Sequence, residues 1–194
     1  MLTVCTANMC RSPLLEVLLE AELRARGVDA RVGSCGTAAD GRGAVPEMVK
    51  AAERRGLDLR SHVGRRLDGA LVADADLVLP LTREHLREVV VVRPDAFPRT
   101  FTPKELVRRA GETAPRGADE ALGDYLARLH EGRSPQQMLR PDPADDVDDP
   151  IGGPRSGYER TAAELEGLAA ALADLLAPPG AELSPLTTTS HQER

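Results

Sequence analysis

Apolar positions fall along this chain in two kinds of pattern. Short buried-strand runs occur at Leu2-Thr3-Val4 and Leu77-Val78-Leu79, and residues 31–35 and 99–102 read as two further short strands. Between them the apolar residues recur at helical spacing. Residues 13–26 predict a helix with Pro13 in its first turn and Gly27 at its stop. Residues 46–55 predict another, opened by Pro46 and closed by Gly56. A short helix over 69–75, one capped by Thr82 and one begun by Pro103 follow, and residues 119–131 predict a further one. The run 89–92 fits a helix end or a strand equally well. Residues 159–177 carry the clearest stripe: Leu165, Leu168, Ala169, Leu172, Leu175 and Leu176 fall at i, i+3, i+4, i+7, i+10 and i+11. Pro80 is placed at the C-terminal end of its strand, because a central strand has no use for a residue without an N–H.

Strands alternating with helices imply an α/β fold, an open three-layer sandwich with a mostly parallel four-stranded sheet and helices on both faces. The chain of 194 residues reads as a single domain over 1–177, with 111–147 as a charged, loop-rich surface insert and 178–194 as a disordered tail.

Composition narrows the function. Net charge is −6 with no basic block, and aromatics are two Phe, two Tyr and no Trp, so neither phosphate-backbone binding nor base stacking is expected. No apolar run approaches the ~20 residues that span a bilayer, and no apolar signal region opens the chain. Three cysteines build no disulfide framework. The expectation is a cytoplasmic protein with no membrane or nucleic-acid partner.

The chemistry gathers in one stretch, "VCTANMCRSP", residues 4–13. It lies where the first strand hands over to the first helix, and ligands of open α/β sheets collect there. A helix start and successive loop amides make an anion site over Thr6, Ala7, Asn8, Met9 and Cys10. The same field favours Cys5 as a thiolate nucleophile. Arg11 can offer a planar fork to two oxygens of one phosphate, and Ser12 can donate to the Cys5 sulfur. Cys5 and Cys10 could instead be packing residues or a disulfide, and Cys35 reads as a small buried residue. Asp145, Asp146 and Asp148 read as a solvated acidic run, and His85, His130 and His191 as surface residues. No metal-ligand spacing is present, so no metal or cofactor is expected.

At these residues the chain resembles the low-molecular-weight protein tyrosine phosphatase family, whose opening is strand, C-x-G-N-x-C-R-S-P, helix. The resemblance extends through "SCGT", "RSHVGRRL", "DADLVLPLT", "RTFTPKEL" and "VDDPIGGP", over roughly residues 1–176. It implies catalysis by Cys5, Arg11 and Asp149, with Asp149 as the acid that precedes the proline of a late loop. It also implies a buried support of Asn8, Ser12, Ser34 and His62, and a redox role for Cys10 as the partner of an oxidised Cys5. The implied activity is metal-free hydrolysis of phosphotyrosine-type monoesters through a cysteinyl-phosphate. The substrates would be phosphorylated proteins or small phosphomonoesters, and phosphate and other oxyanions would inhibit.

Three positions depart from the family pattern. Ala7 stands where glycine is usual, and the aromatic residues that usually flank the site are absent from 38–45 and 151–153. "DPIGG" looks like the branch that includes protein arginine phosphatases, whose members carry Thr at the position of Met9, whereas Met9 is apolar as in tyrosine-specific members. Protein arginine phosphatase is therefore the alternative substrate reading. From other classes, an arsenate reductase would need relay cysteines after Cys35, and a silent phosphate-binding module would have lost Cys5, Arg11 or Asp149.

Overall fold

The strand β1 (Leu2–Cys5) runs through the middle of a parallel sheet, flanked by β2 (Gly33–Gly36) and β3 (Val78–Pro80) in the order β2-β1-β3. The computed structural model describes residues 1–140 and 142–177, so the tail expected over 178–194 lies outside the described residues. Strand alternation sends successive side chains to opposite faces. Leu2, Val4, Cys35 and Val78 therefore meet one apolar cluster, while Cys5, Leu77 and Leu79 meet the other.

Helices cover both faces. The larger cluster is built on α1 (Arg11–Ala25), α2 (Pro46–Glu53), α5 (Pro103–Gly111) and α7 (Arg155–Leu176), with α7 packed against the other three. On the opposite face α3 (Gly69–Ala73) contributes Val72 and α4 (Arg83–Val92) contributes Val89. Both covered faces suit parallel strands, which read as apolar runs for that reason.

The expected fourth strand is corrected: the sheet has three strands among the described residues. What remains of it is one bridge between Val78 and Thr100, supported by the Phe101 N–H donating to the Val78 carbonyl at 3.1 Å. A 3-10 turn over Pro94–Arg99 precedes it and Pro103 opens α5 directly after, so too little extended chain is left to form a ladder. The ambiguous run 89–92 belongs to α4, where Val89 is buried against the sheet and Val91 faces solvent. Its β-branched residues are held helical by that packing rather than by their own preference. Pro80 does close β3, and Leu81 resumes hydrogen bonding by donating to the Val4 carbonyl at 2.8 Å.

The 111–147 segment is built into the core. Its helix α6 (Leu122–His130) places Tyr125, Leu126 and Leu129 in the larger cluster. Behind it the Arg133 guanidinium pairs with Glu105 at 2.8 Å and donates to the Thr100 carbonyl at 2.7 Å. It also lies over the rings of Phe97 and Phe101, at 4.6 and 3.9 Å from their centroids. A buried cation survives only with this density of partners.

Candidate active site

The segment from Cys5 to Arg11 curls between the end of β1 and the start of α1, and its carbonyls are held from outside. Thr37 N–H donates to the Cys5 carbonyl at 3.0 Å, Ala38 N–H to Thr6 at 2.8 Å, and Val45 N–H to Met9 at 2.8 Å. A His62 ring nitrogen meets the Asn8 carbonyl at 2.7 Å. A chain whose carbonyls are tied outward presents its amides inward, toward the open N-terminus of α1. That N-terminus has no side-chain cap and no acidic residue in its first turn, so its dipole remains available to an anion.

Asn8 is the hub of the loop. It is the only non-glycine residue with positive φ among the described residues, at φ 54°, a conformation asparagine tolerates better than most. Its carboxamide nitrogen donates to Ser12 Oγ at 2.9 Å and Ser34 Oγ at 2.8 Å, and its oxygen accepts the Arg65 N–H at 2.9 Å. Ala7 stays out of the left-handed region, so a side chain there carries no backbone strain. The close approach falls on Gly36 instead, where a Cβ would sit 2.5 Å from the Thr6 carbonyl oxygen.

Cys5 is buried at the base of the loop, and Ser12 Oγ donates to its sulfur at 3.0 Å. All three cysteines are free thiols. Burial pushes the Cys10 thiol up, most strongly of the local influences, and raises that of Cys35 to about 12. Arg11 crosses the loop and is itself buried. Its Nη1 donates to the Val147 carbonyl at 3.0 Å and its Nη2 to Asp149 Oδ2 at 2.7 Å. Its Nε, also buried, has no hydrogen-bond partner among the described residues. An unpartnered guanidinium N–H beside inward-turned amides fits an oxyanion.

The loop carrying Asp149 is held by ion pairs and hydrogen bonds at Asp145 and Asp146, which corrects the expected solvated reading at those two residues. Asp145 is buried, with Arg83 at 2.7 Å and Arg108 at 3.1 Å. Asp146 accepts the Arg83 N–H at 2.7 Å, and Lys104 Nζ donates to the Asp146 carbonyl. Val147 N–H bonds the Leu81 carbonyl at 2.8 Å, at the end of β3. Asp148 is exposed, and the Asp149 carboxylate is 42% exposed while paired to Arg11. Ile151 N–H donates to Asp149 Oδ1, and Gly152 N–H to the Tyr158 hydroxyl at 3.3 Å.

His85 was expected at the surface, and it is buried. Its ring spans Thr82 Oγ1 and Thr6 Oγ1, each at 2.9 Å, and burial lowers its pKa to about 3. His130 is half-buried and packs edge-on against Phe97, while His191 lies outside the described residues. Sequence reading missed Arg65, Arg83, His85 and Arg108, all of which support the site. Only the cap position of Thr82 hinted at His85. Phe97, Phe101, Tyr125 and Tyr158 are all buried, leaving Ile151 as the large apolar residue exposed beside the acid. Among the described residues no group of three or more His, Cys, Asp or Glu is placed to hold a metal ion, and no helix is long and apolar enough to cross a membrane.

Residues 1–113 match the model of the low molecular weight phosphotyrosine protein phosphatases. The protein-arginine-phosphatase of Bacillus subtilis is 30% identical over 174 residues, covering 89% of this chain and 93% of its own. A low molecular weight protein tyrosine phosphatase from T. tengcongensis superposes with a TM-score of 0.67 at 31% identity, over 89% of this chain and 96% of its own. An arginine phosphatase captured as a cysteine-to-serine variant with a phosphorylated active-site serine gives a TM-score of 0.67 at 28% identity, over 89% and 92%. With the matched segment carrying both the loop and its buried support, the chain is a cysteine-dependent phosphatase and belongs to the low molecular weight phosphotyrosine protein phosphatase family.

Proposed function

We propose that Cys5 attacks the phosphorus of a phosphomonoester held by the loop amides of residues 6–12 and by Arg11. The S–P bond forms as the bond to the leaving oxygen breaks, and Asp149 gives that oxygen its proton. The Asp149 carboxylate then takes a proton from water, which attacks the cysteinyl-phosphate and releases inorganic phosphate and the thiolate. Ser12 supports that thiolate in both steps through its hydroxyl. One observation carries this reading: Arg11 joins Asp149, from a loop 138 residues away, to the anion-binding side of the same loop whose base holds Cys5. A bound phosphate dianion competes for that guanidinium and frees the carboxyl for the leaving group. The substrates are phosphorylated proteins or small phosphomonoesters in the cytoplasm, with no metal, nucleic-acid or membrane partner. Cys10, a free thiol of the same loop, condenses with peroxide-oxidised Cys5 to a disulfide with loss of water.

Single-turnover phosphorylation tests the two roles. Cys5→Ser abolishes turnover of an aryl phosphate while phosphate still binds. Asp149→Asn slows a phenol with high pKa by roughly 10²–10⁴-fold and a very acidic phenol far less, with Asp148→Asn nearly silent. Equal slowing of both substrates by Asp149→Asn would displace the acid.

A second substrate reading rests on the buried aromatics. With all four turned into the core, nothing aromatic stands ready to enclose a phenyl ring, and the B. subtilis relative is named an arginine phosphatase. A panel of phosphotyrosine, phosphoarginine and phosphoserine peptides separates the two by kcat/KM.

A further inference from the structure

We propose that His85 is a positioning residue that fixes the Thr6 hydroxyl as a hydrogen-bond donor to the bound phosphoryl group. This rests on the phosphoryl site proposed above and adds a donor to it.

His85 lies in the first turn of α4, buried, with hydroxyls at both ring nitrogens: Thr82 at Nδ1 and Thr6 at Nε2. A neutral imidazole has one N–H and one lone pair, so it can donate to only one of them. The ring is neutral because burial, and then the nearby Arg11 charge, disfavour the imidazolium. Thr82 decides the direction. Its oxygen already accepts the His85 backbone N–H at 3.3 Å as the cap of α4, so donating its hydrogen to the ring uses both of its functions. Accepting Nδ1–H as a second bond would instead leave that hydrogen with no partner among the described residues. The acceptor within reach is His85 Nδ1. Nε2 therefore carries the proton and donates to Thr6 Oγ1, and the Thr6 hydrogen is turned away from the ring. Thr6 is exposed at the rim of the loop, directly after Cys5, so that hydrogen is free to meet an oxygen of a phosphoryl group held by the loop. The opposite tautomer would draw the Thr6 hydrogen back onto the ring and leave the ligand without it.

The decisive measurement needs no variant. Nitrogen-15 NMR of the His85 ring in the wild-type protein at neutral pH is expected to show the Nε2–H tautomer; the Nδ1–H tautomer overturns the proposal. A mutant cycle then reads the consequence, using inhibition by inorganic phosphate and kcat/KM for an aryl phosphate. Thr6→Val is expected to weaken both by roughly tenfold or more, the scale of one hydrogen bond to a charged group. His85→Phe should do the same in the wild-type background and nothing further in the Thr6→Val background. His85→Gln, whose carboxamide can donate to Thr6, should recover most of the loss. Additive losses in the cycle, or unchanged phosphate inhibition in Thr6→Val, overturn the relay. A wild-type protein that neither binds phosphate nor hydrolyses aryl phosphate overturns the parent reading along with it, whereas the other outcomes are read in an active enzyme.

Discussion

The phosphate loop and the acid loop face each other across Arg11, yet they are held in place by different physics. Residues 5–12 hang on hydrogen bonds between neutral groups, centred on the Asn8 carboxamide and the hydroxyls of Ser12 and Ser34. Residues 145–149 hang on charge, through the buried Asp145 between Arg83 and Arg108. Neutral bonds impose direction and give a loop that is set before any ligand arrives. Ion pairs tolerate more angular freedom, and they leave Asp149 partly exposed and paired with the very arginine that phosphate needs. One side suits binding and the other suits movement.

The largest expected break comes from Asn8→Ala. It strands the buried Ser34 hydroxyl, at about 1–3 kcal/mol for a buried group left unpaired, removes one of the bonds of Ser12 and the acceptor of the part-buried Arg65 N–H, and puts alanine at a left-handed position. Inorganic phosphate inhibition and turnover should collapse together, and a urea melt should shift strongly. Retained phosphate affinity in a folded variant would mean the loop is set by something else.

Asp145→Ala should do the opposite kind of damage. Removing one partner of a buried ion pair costs about 3–5 kcal/mol, and the half-exposed Arg108 places this case at the low end. Phosphate inhibition should persist, while turnover of esters with poor leaving groups falls more than that of activated ones. Equal loss on both substrate types would show that the two loops are not separately supported.

The smallest effect sharpens the neutral side. His85 has a folded pKa of about 3 against an ordinary 6.5, so between these values the unfolded chain holds a proton that the folded chain lacks. Stability from this group is complete above about pH 6.5 and falls as pH drops, by up to about 1.4 kcal/mol per unit. Thermal melts from pH 7 to 4 should show a shallower decline in His85→Gln than in wild type.

The same contrast explains what was legible in the sequence. The phosphate loop is a continuous run between one strand and one helix, so Cys5, Arg11 and Ser12 could be read from neighbouring residues alone. Ser34 and His62 came only through family resemblance, and so did Asp149, whose neighbours Asp145, Asp146 and Asp148 are chemically similar to it. What separates these carboxylates is tertiary: Asp145 finds Arg83 and Arg108 at 62 and 37 residues' distance. His85 and Thr6 lie 79 residues apart, and no local pattern joins them. The missing fourth strand was misread for a related reason, since Pro98 and Pro103 curtail it from either side and a β-prone tetrad, Arg99-Thr100-Phe101-Thr102, looks the same whether or not it finds ladder partners.

The crowding at Gly36 also shapes how this domain can diverge. The alanine at position 7 shows that a glycine within the loop can be given up where its backbone stays in ordinary territory. The strand residue facing the loop has no such latitude, because any side chain there meets the Thr6 carbonyl and the Asn8 amide within 3 Å. In a saturation library the tolerant and intolerant positions would thus run against first intuition. The reacting loop would accept a side chain at position 7, while a glycine that touches no substrate would accept none.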